Sequence, residues 1–191
     1  MGNAMENNLG RHYFEDALRQ FRRLKSLAEE AIAQVTDAEL FTALDPESNS
    51  IAAIMKHING NQRSRWTDFL TSDGEKPGRN RDSEFEISGH ETRESLLKRW
   101  EEGWNCLFSA LEPLEAEGLM RTVTIRGKPH TVVEAITRQL THYGEHTGQI
   151  VLLAKHFRAG QWKSLSIPRG KSAEFNRAMA ARDETSGETK R

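Results

Sequence analysis

The chain has 191 residues, 27 Lys and Arg against 28 Asp and Glu, a formal charge of −1 and one cysteine, Cys106. Its isoelectric point of about 6.7 gives no field to steer it onto a polyanion, so a nucleic-acid binder is not expected. Mean hydropathy of −0.71, with apolar runs no longer than that at Ile150–Ala154, is far from a membrane span.

In chain order, Phe14, Ala17, Leu18, Phe21, Leu24, Ala28, Ala31, Ile32 and Val35 recur at three and four residues and predict a first helix. Asp45 to Ser50 reads as a turn with N-cap candidates. Ile51, Ile54, Met55, Ile58, Trp66 and Phe69 then predict a second helix from about Ser50 to Leu70. From Thr71 to Gly89 no apolar period survives, and this long polar connection reads as a crossover between helices that run the same way. Ser88 and Glu91 suggest a capping box before a third helix, which carries Leu97, Trp100, Trp104, Leu107 and Leu111 and stops near Pro113. Thr122–Arg126 alternates as a short strand that Gly127, Lys128 and Pro129 break. Thr131 and Glu134 then cap a fourth helix running through Ile136, Tyr143, Ile150 and Phe157. The expected fold is all-α, a four-helix bundle with a long connection between its second and third helices. A single domain is expected over residues 1–177, with extended chain at 165–171 and a polar, flexible tail at 178–191.

With one cysteine, no internal disulfide and no cysteine-built zinc site can form, and the N-terminal residues lack the pattern of a secretory leader, so a cytoplasmic location is expected. Soft-metal chemistry must then rest on the seven histidines. His142 and His146 stand four apart on the fourth helix, which stacks both imidazoles on one side. Chance supplies such a pair in roughly one composition-matched chain in four, so placement matters more than spacing. On a helical wheel the two fall at about 280° and 320° against an apolar face centred near 30°, at the edge of the core stripe. A third ligand has to come from another helix, and His57, also at an edge, is the candidate. Three neutral imidazoles with open positions have the composition of a catalytic metal site. The competing reading is an incidental pair with His57 as a surface histidine. His12, His90, His130 and His156 read as solvated, cap-proximal, turn and helix-end residues.

No glutamate follows His142 where a His-Glu-x-x-His protease needs its general base, and no phosphate loop, dinucleotide fingerprint or Gly-x-Ser-x-Gly elbow is present. Cys106, between Trp104 and Leu107, reads as a buried, inert thiol, and Trp100 and Trp104 as core. Arg79, Arg81 and Asp82 in the connection either recognise a carboxylate or form a salt-bridged loop, of which the second is the simpler.

Asp45-Pro-Glu-Ser-Asn-Ser-Ile51, Lys56-His57-Ile58, and His142-x-x-x-His146-x-x-Gln149-Ile150 resemble the DinB/YfiT-like superfamily of metal-dependent bacterial proteins. Asn61–Leu70, Asp73–Pro77, Arg79–Phe85 and Ser166–Ser172 resemble an uncharacterised subfamily of that group, so that the likeness covers residues 9 to 176. The resemblance implies an up-down-down-up four-helix bundle and a divalent ion, nickel or zinc, on His57, His142 and His146. It further implies a small-molecule substrate, with a low-molecular-weight thiol such as mycothiol or bacillithiol as cosubstrate; a homodimer is a separate expectation. The resulting expectation is a metal-dependent enzyme in which the ion lowers the pKa of a thiol or water for transfer or hydrolysis on a small electrophile. A non-catalytic helical module that binds a ligand or dimerises is the alternative.

Overall fold

In a computed structural model of the chain, residues 2–188 are described, and the molecule divides into two units, 1–159 and 160–191. The first unit holds five helices: α1 (Gly2–Ile32), α2 (Asp37–Phe41), α3 (Ile51–Trp66), α4 (Arg93–Leu111) and α5 (Val132–Arg158). A hairpin of β1 (Thr122–Ile125) and β2 (Lys128–Thr131) precedes α5. The expected all-α class holds, and no described helix is long and apolar enough to cross a membrane.

The helix starts follow the capping chemistry of the sequence. Ser50 Oγ accepts from Ala53 N–H at 3.2 Å to open α3, and Thr131 with Glu134 forms the expected capping box of α5. A further box at Thr36 and Glu39 starts α2, a one-turn helix too short to show a period. The third predicted helix begins later than its Ser88–Glu91 signal, because Thr92 and Ser95 form the reciprocal cap of α4. Glu91 accepts from Ser88 N–H but spends its charge on Lys56 at 2.9 Å and Arg99 at 3.1 Å.

Three boundaries differ from expectation for backbone reasons. The second predicted helix ends at Trp66 rather than Leu70, since Asp68 turns left-handed at φ +48° and its carbonyl accepts from Thr71 and Ser72 N–H. Lys128 and Pro129 do not end the strand but begin β2. The reversal is made by Arg126 and Gly127, at φ +54° and +72°, in a two-residue hairpin loop. Pro129 is tolerated because a two-stranded ribbon has an open edge that needs no N–H. His130 accordingly lies in a strand, not a turn. In the second unit, α6 (Ser172–Glu188) follows a segment without regular structure, and 178–188 of the expected tail belong to this helix. Residues 189–191 lie outside the described residues.

α1 packs against α5, α3 against both α4 and α5, and α1 against α4. The core between them holds Phe21, Ile54, Trp66, Trp100, Trp104, Leu107, Ile136 and Tyr143, all essentially inaccessible. Trp100 and Trp104 are core residues as expected, and their rings meet edge to face at 5.6 Å. Close approach of α3 and α4 needs Gly103, where a Cβ would stand 2.9 Å from Asn59 Nδ2. Trp66 Nε1 donates to Tyr143 Oη at 3.1 Å, and Tyr143 donates in turn to Asn61 Oδ1 at 3.0 Å. This buried chain clamps α3 to α5 one turn from His57 and beside His142.

Candidate metal centre

His57 projects from α3 toward α5, whose i and i+4 positions present His142 and His146 on one side. The Nε2 atom of His142 lies 3.2 Å from Nε2 of His57 and 3.1 Å from Nε2 of His146. All three ligand atoms lie within 4.8 Å of one another, and the group could hold a metal ion. The three histidines singled out in the sequence are thus brought together. His12, His90 and His156 are exposed, and His130 Nδ1 is 3.0 Å from the Lys128 carbonyl.

What lies behind the rings fixes their tautomers. His57 Nδ1–H donates to Glu84 Oε2 at 2.8 Å, and His146 Nδ1–H donates to Gln149 Oε1 at 2.8 Å. Each donation leaves the ring's Nε2 lone pair facing the centre, the form a cation requires. Two lone pairs then face His142 Nε2, whose single proton could satisfy one of them, while His142 Nδ1 is buried without a partner. A cation bound by the three Nε2 atoms satisfies all three lone pairs and leaves only His142 Nδ1–H without a partner, so the residues fit a divalent ion. Burial and the neighbouring His146 and His57 push the His142 imidazole down to about 3. Burial likewise holds His146 below its ordinary value, against the opposing hydrogen bond to Gln149. Both are therefore neutral at pH 7, as ligands must be.

His57, expected at the edge of the apolar stripe, is only 3% exposed. The connection between α3 and α4 covers it: Phe85 stacks on its ring at 4.9 Å, and Glu84 closes over its Nδ1. Glu84 is the partner of His57 that spacing did not reveal, since it lies 27 positions away in a one-turn 3-10 helix, Asp82–Glu84. Arg79 grips it with two parallel bonds, Nε to Oε1 at 2.8 Å and Nη2 to Oε2 at 2.9 Å. Burial opposes ionisation of Glu84, but the bonds from His57 and Arg79 outweigh it and hold the carboxyl below its ordinary value. The salt-bridged reading of Arg79 therefore holds, and Arg81 lies over the Phe85 ring at 5.1 Å. Cys106 departs from its reading: it is half-buried, with Sγ 3.5 Å from Thr67 Oγ1, in a recess separate from the one that holds His57 and His142.

A family model described as "Protein of unknown function (DUF1572)" matches residues 8–171. The chain belongs to the DUF1572 family. No curated protein matches the sequence. The match takes in all of α3, α4 and α5 and the connection that carries Glu84, so every residue of the three-histidine group and its supports falls inside the family's span.

Proposed function

We propose that this DUF1572 protein is a DinB/YfiT-like metal-dependent enzyme, with one divalent ion, zinc or nickel, on His57, His142 and His146. The reaction is transfer or hydrolysis on a small electrophile, with a low-molecular-weight thiol or water as nucleophile. The observation that carries the reading is the convergence of the three Nε2 atoms, with Glu84 and Gln149 setting the tautomers of His57 and His146 from behind. Residue pairings support an up-down-down-up bundle. Asn59 and Thr67 meet Arg99 and Cys106, so α3 and α4 run alike. Tyr13 and Phe21 meet Val133 and Tyr143, so α1 and α5 run alike. Arg22 meets Glu112 while Glu29 meets Trp100, so α1 opposes α4.

An ion in such a site supplies Lewis acidity, lowering the pKa of a thiol or water that reaches its open position. The chain's own residues do the rest. Glu84 keeps the Nδ1 proton of His57 and raises the basicity of the opposite nitrogen. Phe85 shields one face of His57 from water, and the Trp66–Tyr143–Asn61 chain fixes the separation of α3 from α5. Since Cys106 lies in another recess, a reacting thiol comes from solution. The reading carries a cytoplasmic location, where such thiols stay reduced, and a homodimer.

The test is turnover of a reactive aryl halide by protein reconstituted with zinc or nickel, with and without an added low-molecular-weight thiol. Metal-dependent turnover that His146→Ala abolishes is expected. Equal rates for reconstituted, metal-stripped and His146→Ala protein would overturn the proposal.

A further inference from the structure

The cavity that contains His57 and His142 has a volume of about 600 Å³, and its remaining wall is strongly cationic. Arg65, Arg79, Arg81, Arg126 and Arg138 line it, against Glu145 as the sole lining carboxylate. Two more carboxylates stand behind the wall, and both are already committed. Glu84 holds Arg79 and His57. Glu75 serves Arg126 at 3.0 Å, Arg79 at 3.4 Å and Arg65 only at 3.8 Å.

Arg65 is the informative member. It is 2% exposed, and its Nε and Nη1 find no hydrogen-bond acceptor. A buried guanidinium with idle donors is destabilising unless an acceptor arrives, since each unmet buried donor forfeits the hydrogen bonds it made to water. The chain makes room for that fork: at Gly74 a Cβ would stand 2.9 Å from Arg65 Nη1. Arg138, exposed on α5 one turn before His142, enters none of the described ion pairs and adds a second charge to the cavity lining. An electrically neutral substrate would leave this wall unused, and a divalent ion on the histidines would make the cavity more positive still.

We infer that the cavity binds the anionic group of the substrate, a carboxylate or a phosphate, through the Arg65 fork with Arg138 at the rim, and so aims the substrate's other end at the three histidines. The aiming half of this inference rests on the proposed metal site; the anion subsite does not. Oxyanions suit the planar, bidentate geometry of a buried guanidinium better than halides do.

The experiment is calorimetric titration of full-length protein, zinc-loaded and metal-stripped, with inorganic phosphate, succinate and chloride at constant ionic strength, with metal content assayed in each batch. Phosphate or succinate binds and chloride does not; the tighter of the two assigns the substrate's group to a phosphate ester or a carboxylate. Arg138→Gln, an exposed change that leaves folding alone, weakens binding about five- to tenfold, as loss of one charge-assisted contact should. Glu145→Gln tightens it about two- to threefold by removing the opposing charge. Arg65→Lys, which keeps the charge and loses the fork, weakens it about tenfold or more. No heat from either oxyanion, or equal affinities in wild type, Arg138→Gln and Glu145→Gln, overturns the inference. Anion binding by protein that takes up no zinc would overturn the metal reading and leave the subsite standing.

Discussion

Glu84 reaches His57 only because residue 60 is glycine: a Cβ there would stand 2.6 Å from Glu84 Cδ and closer still to its Oε1. Gly60 lies three residues after His57, on the same face of α3, so the helix leaves a notch where the connecting segment lays its carboxylate across the imidazole. A glycine inside a helix costs about 1 kcal/mol relative to alanine, and here the notch is what that cost secures.

Gly60→Ala should therefore separate stability from site function. The substitution favours α3 by up to about 1 kcal/mol in intrinsic propensity but pushes Glu84 off His57. Zinc affinity, measured by competition with a chromophoric chelator, should fall about 10- to 100-fold, the usual weight of a carboxylate behind a metal-binding imidazole. Glu84→Gln, which keeps an acceptor and loses the charge, should lie between wild type and Gly60→Ala.

Gly103→Ala provides the contrast. Its Cβ would press on Asn59 and Gln62 at the α3–α4 contact, so overpacking should cost about 1–3 kcal/mol in urea unfolding. Zinc affinity should move much less than in Gly60→Ala, because the added methyl meets Asn59 and Gln62 rather than Glu84.

Much of this was legible in the sequence, for identifiable reasons. The long amphipathic helices announce themselves by period, and the three histidines by an i, i+4 pair together with one more edge position. α2 was not legible, because five residues cannot display a 3.6-residue period. Glu84, Phe85 and Gly60 were not legible as a unit either. Their relation runs between a long helix and a one-turn 3-10 helix in the connection, where no spacing rule applies and only the folded backbone brings the partners together. The burial of His57 follows from the same contact, which is why a helical wheel placed it too near the surface.

The Trp66–Tyr143–Asn61 chain gives a second stability prediction. Tyr143→Phe keeps the ring but leaves Trp66 Nε1–H and Asn61 Oδ1 buried without partners. Chemical denaturation should show a loss of about 1–3 kcal/mol. Because the chain sets the distance between α3 and α5, metal affinity should fall as well, although Tyr143 touches no bound ion.

A pH dependence follows from Asp73, whose carboxylate accepts from the backbone N–H groups of Glu75, Arg126 and Gly127 at 2.7–2.8 Å and so ties the hairpin to the connecting segment. Those bonds, that from Glu75 first and then that from Gly127, hold the carboxyl below its ordinary value. A carboxylate depressed in the folded state binds its proton later than in the unfolded chain. Its contribution is therefore complete above the ordinary aspartate value of about 3.9 and lost as the pH falls through the folded one. Asp73→Asn should be less stable than wild type at pH 7, and urea midpoints measured from pH 7 to pH 3 should converge at the acid end. A constant gap across that range would assign the effect to packing rather than charge.

Whether His57, His142 and His146 together hold one divalent ion is decided by X-ray absorption on full-length protein purified without a metal-affinity column and titrated with zinc. About one zinc per chain is expected, with three imidazole nitrogens at about 2.0–2.1 Å and loss of that signal in His57→Ala and His142→Ala variants that remain folded. Zinc that fails to bind stoichiometrically, or that binds with the same imidazole signature in both variants, would contradict it.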